Sequence, residues 1–292
     1  MRRKYHDEHV SVLVEEVLKH LVWKTDGVYV DCTVGEGGHT FSILSRFPRV
    51  RVVGIDRDEE VLEIARKKLE IFGKRCRLFK AEFSRIDELF HGLQLEKVDG
   101  FLLDLGVSTY QLMAKGRGFS FNRDEPLDMR MDLSQFKTAW YVVNTYPEEE
   151  LERILREYGE EPFARRIARN IVAMRPIDST GQLVEAVVKA IPKKVRRKRH
   201  PATRTFQAIR IEVNDELKNL AKALEKLPDF LNTGGRIVVI SFHSLEDRIV
   251  KRAFRDDKRL RIITKKVIKP SFEEVKENIR ARSARMRVAE RI

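Results

Sequence analysis

Short apolar runs rich in β-branched residues alternate along the chain with amphipathic helical patterns. Runs of strand length lie at residues 28–30, 50–55, 77–79, 100–105 and 236–241. The segments FLLDL and IVVIS are apolar at almost every position, which is typical of strands buried on both faces of a parallel sheet. The alternation therefore predicts an α/β fold in which helices cover both sides of a parallel sheet.

The helical pattern after the second run is the clearest. Asp58 is a favourable N-cap, and Glu59 and Glu60 follow it in the first turn, where acidic side chains complement the helix dipole. Apolar residues then recur on one helical face, at Val61, Ile64, Ala65, Leu69 and Phe72. We therefore expect an amphipathic helix that begins after Asp58.

The alternation stops after the fourth run. In the long stretch that follows no strand pattern is found, whereas one helical face follows Pro147 and another follows a capping-box pattern at Ser179 and Gln182. The two faces consist of Leu151, Ile154, Leu155 and Tyr158, and of Leu183, Val184, Val187, Val188 and Ile191. This stretch is predicted to be helical.

The α/β pattern then resumes with one more helix. Glycines at Gly234 and Gly235 predict a turn between this helix and the fifth strand. The apolar face of the helix is Leu217, Leu220, Ala221 and Leu224. We predict a discontinuous core of residues 1–114 and 214–292, interrupted by an inserted helical domain of residues 115–213.

Composition narrows the class of protein. The chain has 292 residues, of which 42% are hydrophobic, enough to bury sizeable cores. It has no run of eighteen apolar residues, and no apolar segment follows the charged N-terminus MRRKYHDEHV. We expect a cytoplasmic protein without membrane span or secretory signal. Cys32 and Cys76 form neither a CxxC motif nor a disulfide framework, so no metal site is predicted, and no obligate protein partner is indicated.

The net charge of +13 is concentrated in two segments. Residues 189–199 contain seven basic and no acidic residues, and residues 248–292 contain sixteen basic and six acidic residues. A solvated surface in a highly charged protein is the alternative to a polyanion-binding surface, but it predicts mixed signs, which residues 189–199 lack. Predicted phosphate contacts are residues 280–291 together with Lys193, Lys194, Arg196, Arg197, Arg199 and Arg204.

The segment DCTVGEGGHT, residues 31–40, joins the first strand to the next helix and reads as a ligand loop. It lacks the lysine of a P-loop, which disfavours a triphosphate. Gly35 and Gly37 fit a dinucleotide fingerprint, but Thr40 stands where a third small residue packs a helix closely against a strand. This residue weakens the dinucleotide-binding interpretation of the loop but does not exclude it.

A second anchor lies twenty-one residues after Gly35. Asp56 ends the second strand, where a carboxylate can accept hydrogen bonds from both hydroxyls of an adenosine ribose or can cap a helix. S-adenosylmethionine fits these features because it carries a ribose and no phosphate. Phe83, after the third strand, is placed to line an adenine pocket or to fill the core. Asp104 ends the fourth strand, on the side of the sheet where the transferred group should lie.

The chain resembles the bacterial 16S rRNA cytosine-N4 methyltransferase family, RsmH, formerly called MraW. The segments that carry the resemblance extend nearly end to end, and the most specific are RGFSFNRDEPLDMRMD, HPATRTFQAIRIEVNDEL and GGRIVVISFHSLEDRIVKR. The resemblance implies a class I, Rossmann-like methyltransferase core with an inserted helical domain. It also implies methylation of N4 of a cytosine in the decoding centre of 16S rRNA, with the rRNA or the small ribosomal subunit as partner.

Position by position, the family's cofactor contacts match Gly37, Gly38, His39, Asp56, Phe83, Asp104 and Gln111. The family commonly has DLGVSSPQLD where this chain has DLGVSTYQLM. Gln111 is kept, but Thr109, Tyr110 and Met113 change the loop that would shape the target-base pocket.

Asp104 is the candidate catalytic residue. It, or backbone carbonyls of residues 105–108, can accept hydrogen bonds from a cytosine amino group and so activate the nitrogen. Tyr110 could stack on the base or pack in the core. Arg130 and His243 are candidate substrate-side residues, with a buried ion pair and a helix N-terminal position as the alternative interpretations.

Other classes of function remain open at this point. They are a nicotinamide-dependent oxidoreductase, an RNA-binding protein without catalysis, and a methyltransferase for DNA or a metabolite. Binding of S-adenosylmethionine rather than NAD, and transfer of a labelled methyl group to RNA, would distinguish them.

Overall fold

A computed structural model of the chain describes residues 11–192 and 200–292. Within these residues, one seven-stranded sheet has the order β3-β2-β1-β4-β5-β7-β6. The strands are β1 (Val28–Asp31), β2 (Arg51–Asp56), β3 (Cys76–Lys80), β4 (Val98–Asp104), β5 (Leu231–Ser241), β6 (Leu260–Ile262) and β7 (Arg285–Arg291). The five predicted strands are β1 to β5. The α/β, Rossmann-like fold class is confirmed.

The helices of the described residues fall into two compact units. Residues 11–108 and 217–292 include α1 (Val14–Leu21), α2 (Gly38–Arg46), α3 (Glu59–Leu69), α4 (Ile86–Leu93), nearly all of α11 (Glu216–Lys226), α12 (Ser244–Asp256) and α13 (Phe272–Glu277). Residues 109–216 include α5 (Thr109–Met113), α6 (Ala139–Thr145), α7 (Glu148–Glu157), α8 (Ala164–Ala173), α9 (Thr180–Ala190) and α10 (Thr203–Asn214).

The sheet is buried on both faces, as its continuous apolar strands predict. In β4, Phe101 and Leu103 point into one core, together with Phe254 of α12. Leu102 points into the opposite core, together with Leu18 of α1 and Leu44 of α2. Because neighbouring side chains on a strand alternate between the faces, a strand enclosed by helices on both sides is apolar throughout.

The prediction of an entirely parallel sheet is wrong at one edge. Strand β7 is antiparallel to both β5 and β6. Residues 285–291, which composition placed in a phosphate-contacting segment, therefore lie inside the sheet. Its arginines alternate with buried Met286 and Val288, so the period-2 signal of a strand was present but was obscured by the basic residues.

Local helix signals predicted the helix boundaries well. The Asp58 side chain caps α3 by accepting a hydrogen bond from the Glu60 amide, and Val61, Ala65 and Leu69 of the predicted face are buried. Leu62, which the predicted face omitted, is buried as well. In α11, however, Ala221 is exposed and Ala223 is buried beside Leu220 and Leu224. The predicted apolar face is thus wrong at this one position.

The predicted turn at Gly234 and Gly235 is also wrong, because both glycines lie within β5. Gly234 adopts a φ of 83°, a left-handed conformation that favours glycine. The pairing of β4 with β5 shifts register between Val98 and Gly100. The glycines therefore accommodate an irregularity in the strand.

The unit of residues 109–216 is helical, and the two predicted helix starts are confirmed. Pro147 is the N-cap residue of α7, and Ser179 and Gln182 form a reciprocal capping box at α9. Its only described β-pairing is an isolated bridge between Pro126 and Ser179. The compact unit begins at Thr109, six residues before the predicted boundary at residue 115, in a region that α5 occupies. A separate role for the inserted domain stays a prediction.

No helix in residues 11–192 or 200–292 is long and apolar enough to cross a membrane.

Candidate active site

Three acidic residues lie at the carboxyl ends of three neighbouring strands. Asp31 ends β1, Asp56 ends β2 and Asp104 ends β4. The strands are parallel, and Asp31 pairs in register with Gly54 of β2 and Leu102 of β4. Strands β1 and β4 are the point at which the strand order reverses direction, where open α/β sheets bind their ligands.

The glycine loop bends sharply before it enters α2. Gly35 and Gly37 have φ angles of 53° and 82°, in the left-handed region that favours glycine. Gly37 is the N-cap residue of α2, and a Cβ atom there would lie 3.0 Å from Cδ1 of Leu69. Gly38 and His39 are the first two residues of α2. Glycine at position 37 thus meets both a conformational and a steric requirement.

Asp56 connects this loop to β2. Its Oδ2 accepts a hydrogen bond from the Gly35 amide at 3.0 Å, and its Oδ1 accepts one from the Asp58 amide at 3.0 Å. Burial raises the pKa of Asp56 to about 6, against the effect of these hydrogen bonds, and the carboxylates of Asp58 and Asp31 raise it further. The sequence placed Asp56 correctly at the end of the strand but did not show that it fixes the loop.

Asp31 is a site residue that the sequence interpretation missed. It is buried, its Oδ2 accepts a hydrogen bond from the Thr40 hydroxyl at 2.7 Å, and its Oδ1 accepts one from the Thr33 amide at 3.3 Å. Burial raises the pKa of Asp31. Thr40, considered only as an obstacle to dinucleotide binding, instead ties α2 to β1. An acid at the strand end with a threonine nine residues later was the available signal.

His39 and Asp104 form a second contact at the carboxyl end of these strands. His39 is buried, and its Nε2 lies 3.4 Å from Oδ2 of Asp104. Burial alone would lower the pKa of His39, but Asp104 and Asp31 raise it above the usual value. Nδ1 of His39 and Oδ1 of Asp104 are buried without a hydrogen-bond partner among the described residues. Unpartnered polar atoms at a strand edge indicate a surface that a polar ligand completes.

The other two predicted cofactor residues occupy different environments. Phe83 begins a short 3-10 helix after β3 and packs, partly buried, against the core. This position fits both core packing and the lining of an adenine pocket. Gln111 is a buried residue of α5 in the unit of residues 109–216.

Comparison with known proteins identifies the family. The model of the MraW methylase family matches residues 6–292. The chain belongs to this family.

Curated relatives share its full length. The ribosomal RNA small subunit methyltransferase H of Fervidobacterium nodosum is 58% identical over 296 residues, which cover 100% of each chain. The protein of the same name from Kosmotoga olearia is 59% identical over 298 residues, again 100% of each chain. An rRNA methylase structure from Streptococcus thermophilus has 12% identity and a TM-score of 0.44 over 96% of this chain and 93% of its own.

Membership in the MraW methylase family confirms the prediction of an S-adenosylmethionine-dependent methyltransferase. It favours this class over the nicotinamide-dependent oxidoreductase and over a non-catalytic RNA-binding protein. The cofactor-contact assignments of individual residues stay predictions.

Within this member of the MraW methylase family, Arg130 has a structural role. Its guanidinium makes a paired contact with Asp128, with Nη2 2.8 Å from Oδ2, and donates to the carbonyls of Leu133 and Gln135 at 2.9 and 2.8 Å. Its Nε also donates to Asp128. The ion-pair interpretation of Arg130 therefore fits the geometry better than a substrate contact.

His243 is likewise explained by local structure. It is the N-cap residue of α12, with Glu246 completing a capping box. The Glu246 carboxylate accepts hydrogen bonds from the amides of Phe242 and His243 at 2.8 and 3.2 Å. This is the helix N-terminal position that the sequence offered as the alternative.

The predicted phosphate contacts are only partly described. Arg204 is exposed on α10, whereas Lys193, Lys194, Arg196, Arg197 and Arg199 lie outside the described residues. In β7, Arg287 Nε lies 2.7 Å from Oδ1 of Asp247, and Arg285 Nη1 lies 3.3 Å from its Oδ2. The single Asp247 carboxylate offsets only one of these two positive charges, and the Arg285 side chain is 42% exposed. Phosphate contact by residues 280–291 stays a prediction.

Proposed function

We propose that this chain transfers a methyl group from S-adenosylmethionine to N4 of a cytosine in the decoding centre of 16S rRNA. The observation that carries the substrate class is the end-to-end similarity to relatives named ribosomal RNA small subunit methyltransferase H. The cytosine and its position come from the family resemblance of the sequence motifs. The partner is then 16S rRNA or the small ribosomal subunit.

The carboxyl edge of the sheet fits this cofactor. Its loop carries no cation for a phosphate, and Glu36 is the only charged residue between Gly35 and Gly38. Asp56 uses one hydrogen bond on each oxygen, and a carboxylate oxygen can accept two, so capacity remains for ribose hydroxyls. The full set of residues proposed to hold the cofactor is Gly37, Gly38, His39, Asp56, Phe83, Asp104 and Gln111.

The chemical difficulty lies in the nucleophile. The lone pair of a cytosine amino group is delocalised into the ring, and a bound S-adenosylmethionine supplies an electrophilic methyl group on a sulfonium. Asp104 can accept a hydrogen bond from the amino group at its unpartnered Oδ1, which favours a pyramidal, more nucleophilic nitrogen. The raised pKa of His39 favours an imidazolium beside Oδ2 of Asp104.

The target base must also leave its stack before it can reach the strand edge. Unstacking requires least free energy for a base that is single-stranded or irregularly paired. A site in folded rRNA rather than in a regular duplex is consistent with this requirement.

The test is transfer of labelled methyl groups to small subunits from a strain that lacks the activity, followed by mass spectrometry of the nucleosides. N4-methylcytosine that appears only with the enzyme supports the proposal. Label in another nucleoside, or only in DNA, would indicate the alternative of a methyltransferase for another nucleic acid. Asp104→Asn separates two roles: loss of cofactor binding marks a cofactor ligand, whereas slower transfer with intact binding marks the activating group.

A further inference from the structure

Helix α12 turns a row of basic side chains outward. Arg248, Lys251, Arg252 and Arg255 are all exposed, and their spacing of i, i+3, i+4 and i+7 places them on one helical face. With a rise of about 1.5 Å per residue, the row is about 10 Å long. We call these four residues the α12 basic face.

The acidic residues in the first turn of the same helix point inward. Glu246 is buried in the capping box, and Asp247 is bound by Arg287 and Arg285 of β7. Arg255 pairs with its neighbour Asp256 at the end of the helix. Among the described residues, no carboxylate lies within ion-pairing distance of Lys251 or Arg252. Asp256 lies one helical turn after Arg252 and attracts it at longer range, so the middle of the α12 basic face carries a positive charge that is only partly offset.

Helices α3, α7 and α9 carry mixed ion pairs on their exposed faces. In α3, Arg66 pairs with Glu59 at 2.7 Å. In α7, Arg153 pairs with Glu150 and Glu157 at 2.6 and 2.7 Å. Lys189 of α9 lies 2.6 Å from a glutamate one turn earlier. In these helices the charges form mixed, stabilising pairs. Helix α12 instead sets like charges three and four residues apart, as Lys218 and Lys222 do in α11, and this arrangement destabilises a helix.

The location of α12 connects this face to the candidate active site. The helix follows β5 directly, and Ile240 near the end of β5 pairs in register with Asp104. Its other side is fixed by buried Val250 and Phe254 and by the contacts of Asp247 with β7. The α12 basic face is therefore rigidly held and begins near the strand edge that carries Asp104.

We propose that the α12 basic face binds the phosphate backbone of the RNA substrate and guides it to the candidate active site. Phosphates are the anions best suited to a row of exposed lysine and arginine side chains, which hold a strand in position without reading its sequence. The like-charge repulsion within the helix is then relieved in the complex. This inference rests on the proposed function in that it takes RNA as the substrate.

The test compares Lys251→Gln/Arg252→Gln with the control Lys67→Gln/Lys68→Gln. The control removes the same charge from two adjacent exposed lysines in the last turn of α3. The probe is a fluorescent, unmodified transcript of the 16S decoding region, with affinity measured between about 50 and 200 mM salt. Loss of two phosphate contacts should reduce the slope of log affinity against log salt by about 1.4 to 1.8. Affinity at low salt should fall about tenfold, and the control should match the wild type.

A second variant separates lost binding from lost folding. Arg252→Glu reverses a charge in the middle of the α12 basic face, so it should weaken RNA binding further. Calorimetric binding of S-adenosylhomocysteine should be unchanged in all three variants. Wild-type affinity and salt slope in the Lys251/Arg252 variant would overturn the inference, as would an equal loss in the α3 control.

The outcomes also distinguish this inference from the proposed function. If the wild type binds RNA through Lys251 and Arg252 but forms no N4-methylcytosine, the α12 inference stands and the proposed reaction fails. If the wild type forms N4-methylcytosine while the double variant binds RNA normally, only the α12 inference fails. Absence of transcript binding by the wild type would overturn the α12 inference alone, because methyl transfer to small subunits tests the proposed reaction separately.

Discussion

Replacement of Asp56 by asparagine should weaken cofactor binding while leaving the stability of the free protein almost unchanged. The two carboxylate oxygens of Asp56 each accept one backbone hydrogen bond, from the amides of Gly35 and Asp58. An asparagine can accept only at its oxygen, so its NH2 group would face one of these N–H donors. The variant therefore leaves one donor unpaired and removes the negative charge.

These two changes act on stability in opposite directions. An unpaired donor costs about 1–3 kcal/mol. The carboxyl group has a pKa of about 6 in the fold, raised by burial from the ordinary 3.8. It therefore stabilises the fold most when protonated, and this contribution is lost as the pH rises through about 6. A shift of this size corresponds to about 3 kcal/mol of unfavourable charge burial at neutral pH, which the variant removes. The two effects largely offset each other.

Cofactor binding has no such compensation. If the Asp56 carboxylate accepts hydrogen bonds from the ribose, their loss costs about 1.5–3 kcal/mol, equivalent to a rise of about ten- to hundredfold in Kd. Because the ionised form is the better acceptor, wild-type affinity should increase as the pH rises through about 6. The pH dependence contributed by this group should be absent from Asp56→Asn.

The measurement is calorimetric titration of wild type and Asp56→Asn with S-adenosylhomocysteine from about pH 5 to 8, beside thermal unfolding without ligand. His39 also titrates with a raised pKa, so the difference between the two proteins isolates Asp56. Equal Kd values, or an identical pH dependence in both proteins, would refute the assignment of Asp56 to the ribose. A large loss of stability would refute the offset calculated above.

Three further predictions follow from contacts around the site and in the inserted unit. Thr40→Val keeps the side-chain shape but removes the buried hydrogen bond to Asp31, so urea unfolding should show a loss of about 1–3 kcal/mol in the unfolding free energy. Thr40→Ser should retain most of this free energy, and equal losses in both variants would show that the hydroxyl does not contribute. Gly37→Ala places a Cβ at a φ of 82° and near Leu69, so it should cost about 1–2 kcal/mol and weaken S-adenosylhomocysteine binding; unchanged melting and binding would contradict this. Arg130→Gln removes the ion pair with Asp128, so thermal unfolding should show a loss of about 2 kcal/mol in the unfolding free energy. Wild-type stability together with lost methyl transfer would instead indicate that Arg130 contacts the substrate.

The features that the sequence predicted correctly are determined by neighbouring residues. Strands β1 to β5 were visible as apolar runs, and α3 and α9 were visible from their caps at Asp58 and Ser179. The bend of the glycine loop and the strand-end position of Asp56 were likewise predictable, because the spacing of glycine and acid follows from a single β-α-β unit. These signals depend on backbone periodicity and on hydrogen bonds within a few residues.

Tertiary structure alone decided how the charged residues are used. Asp247 lies 40 residues from Arg287 in sequence, yet the two side chains are hydrogen-bonded, and part of an apparently basic segment pairs with β5 and β6 as a strand. Tertiary contacts likewise pair Asp31 with the Thr40 hydroxyl and His39 with Asp104. The sequence by itself determined the fold class, the family resemblance and the excess of positive charge. Only the packed structure decided which charges are neutralised inside and which face outward, because a charge is compensated by whatever lies within a few ångströms of it, whatever its distance along the chain.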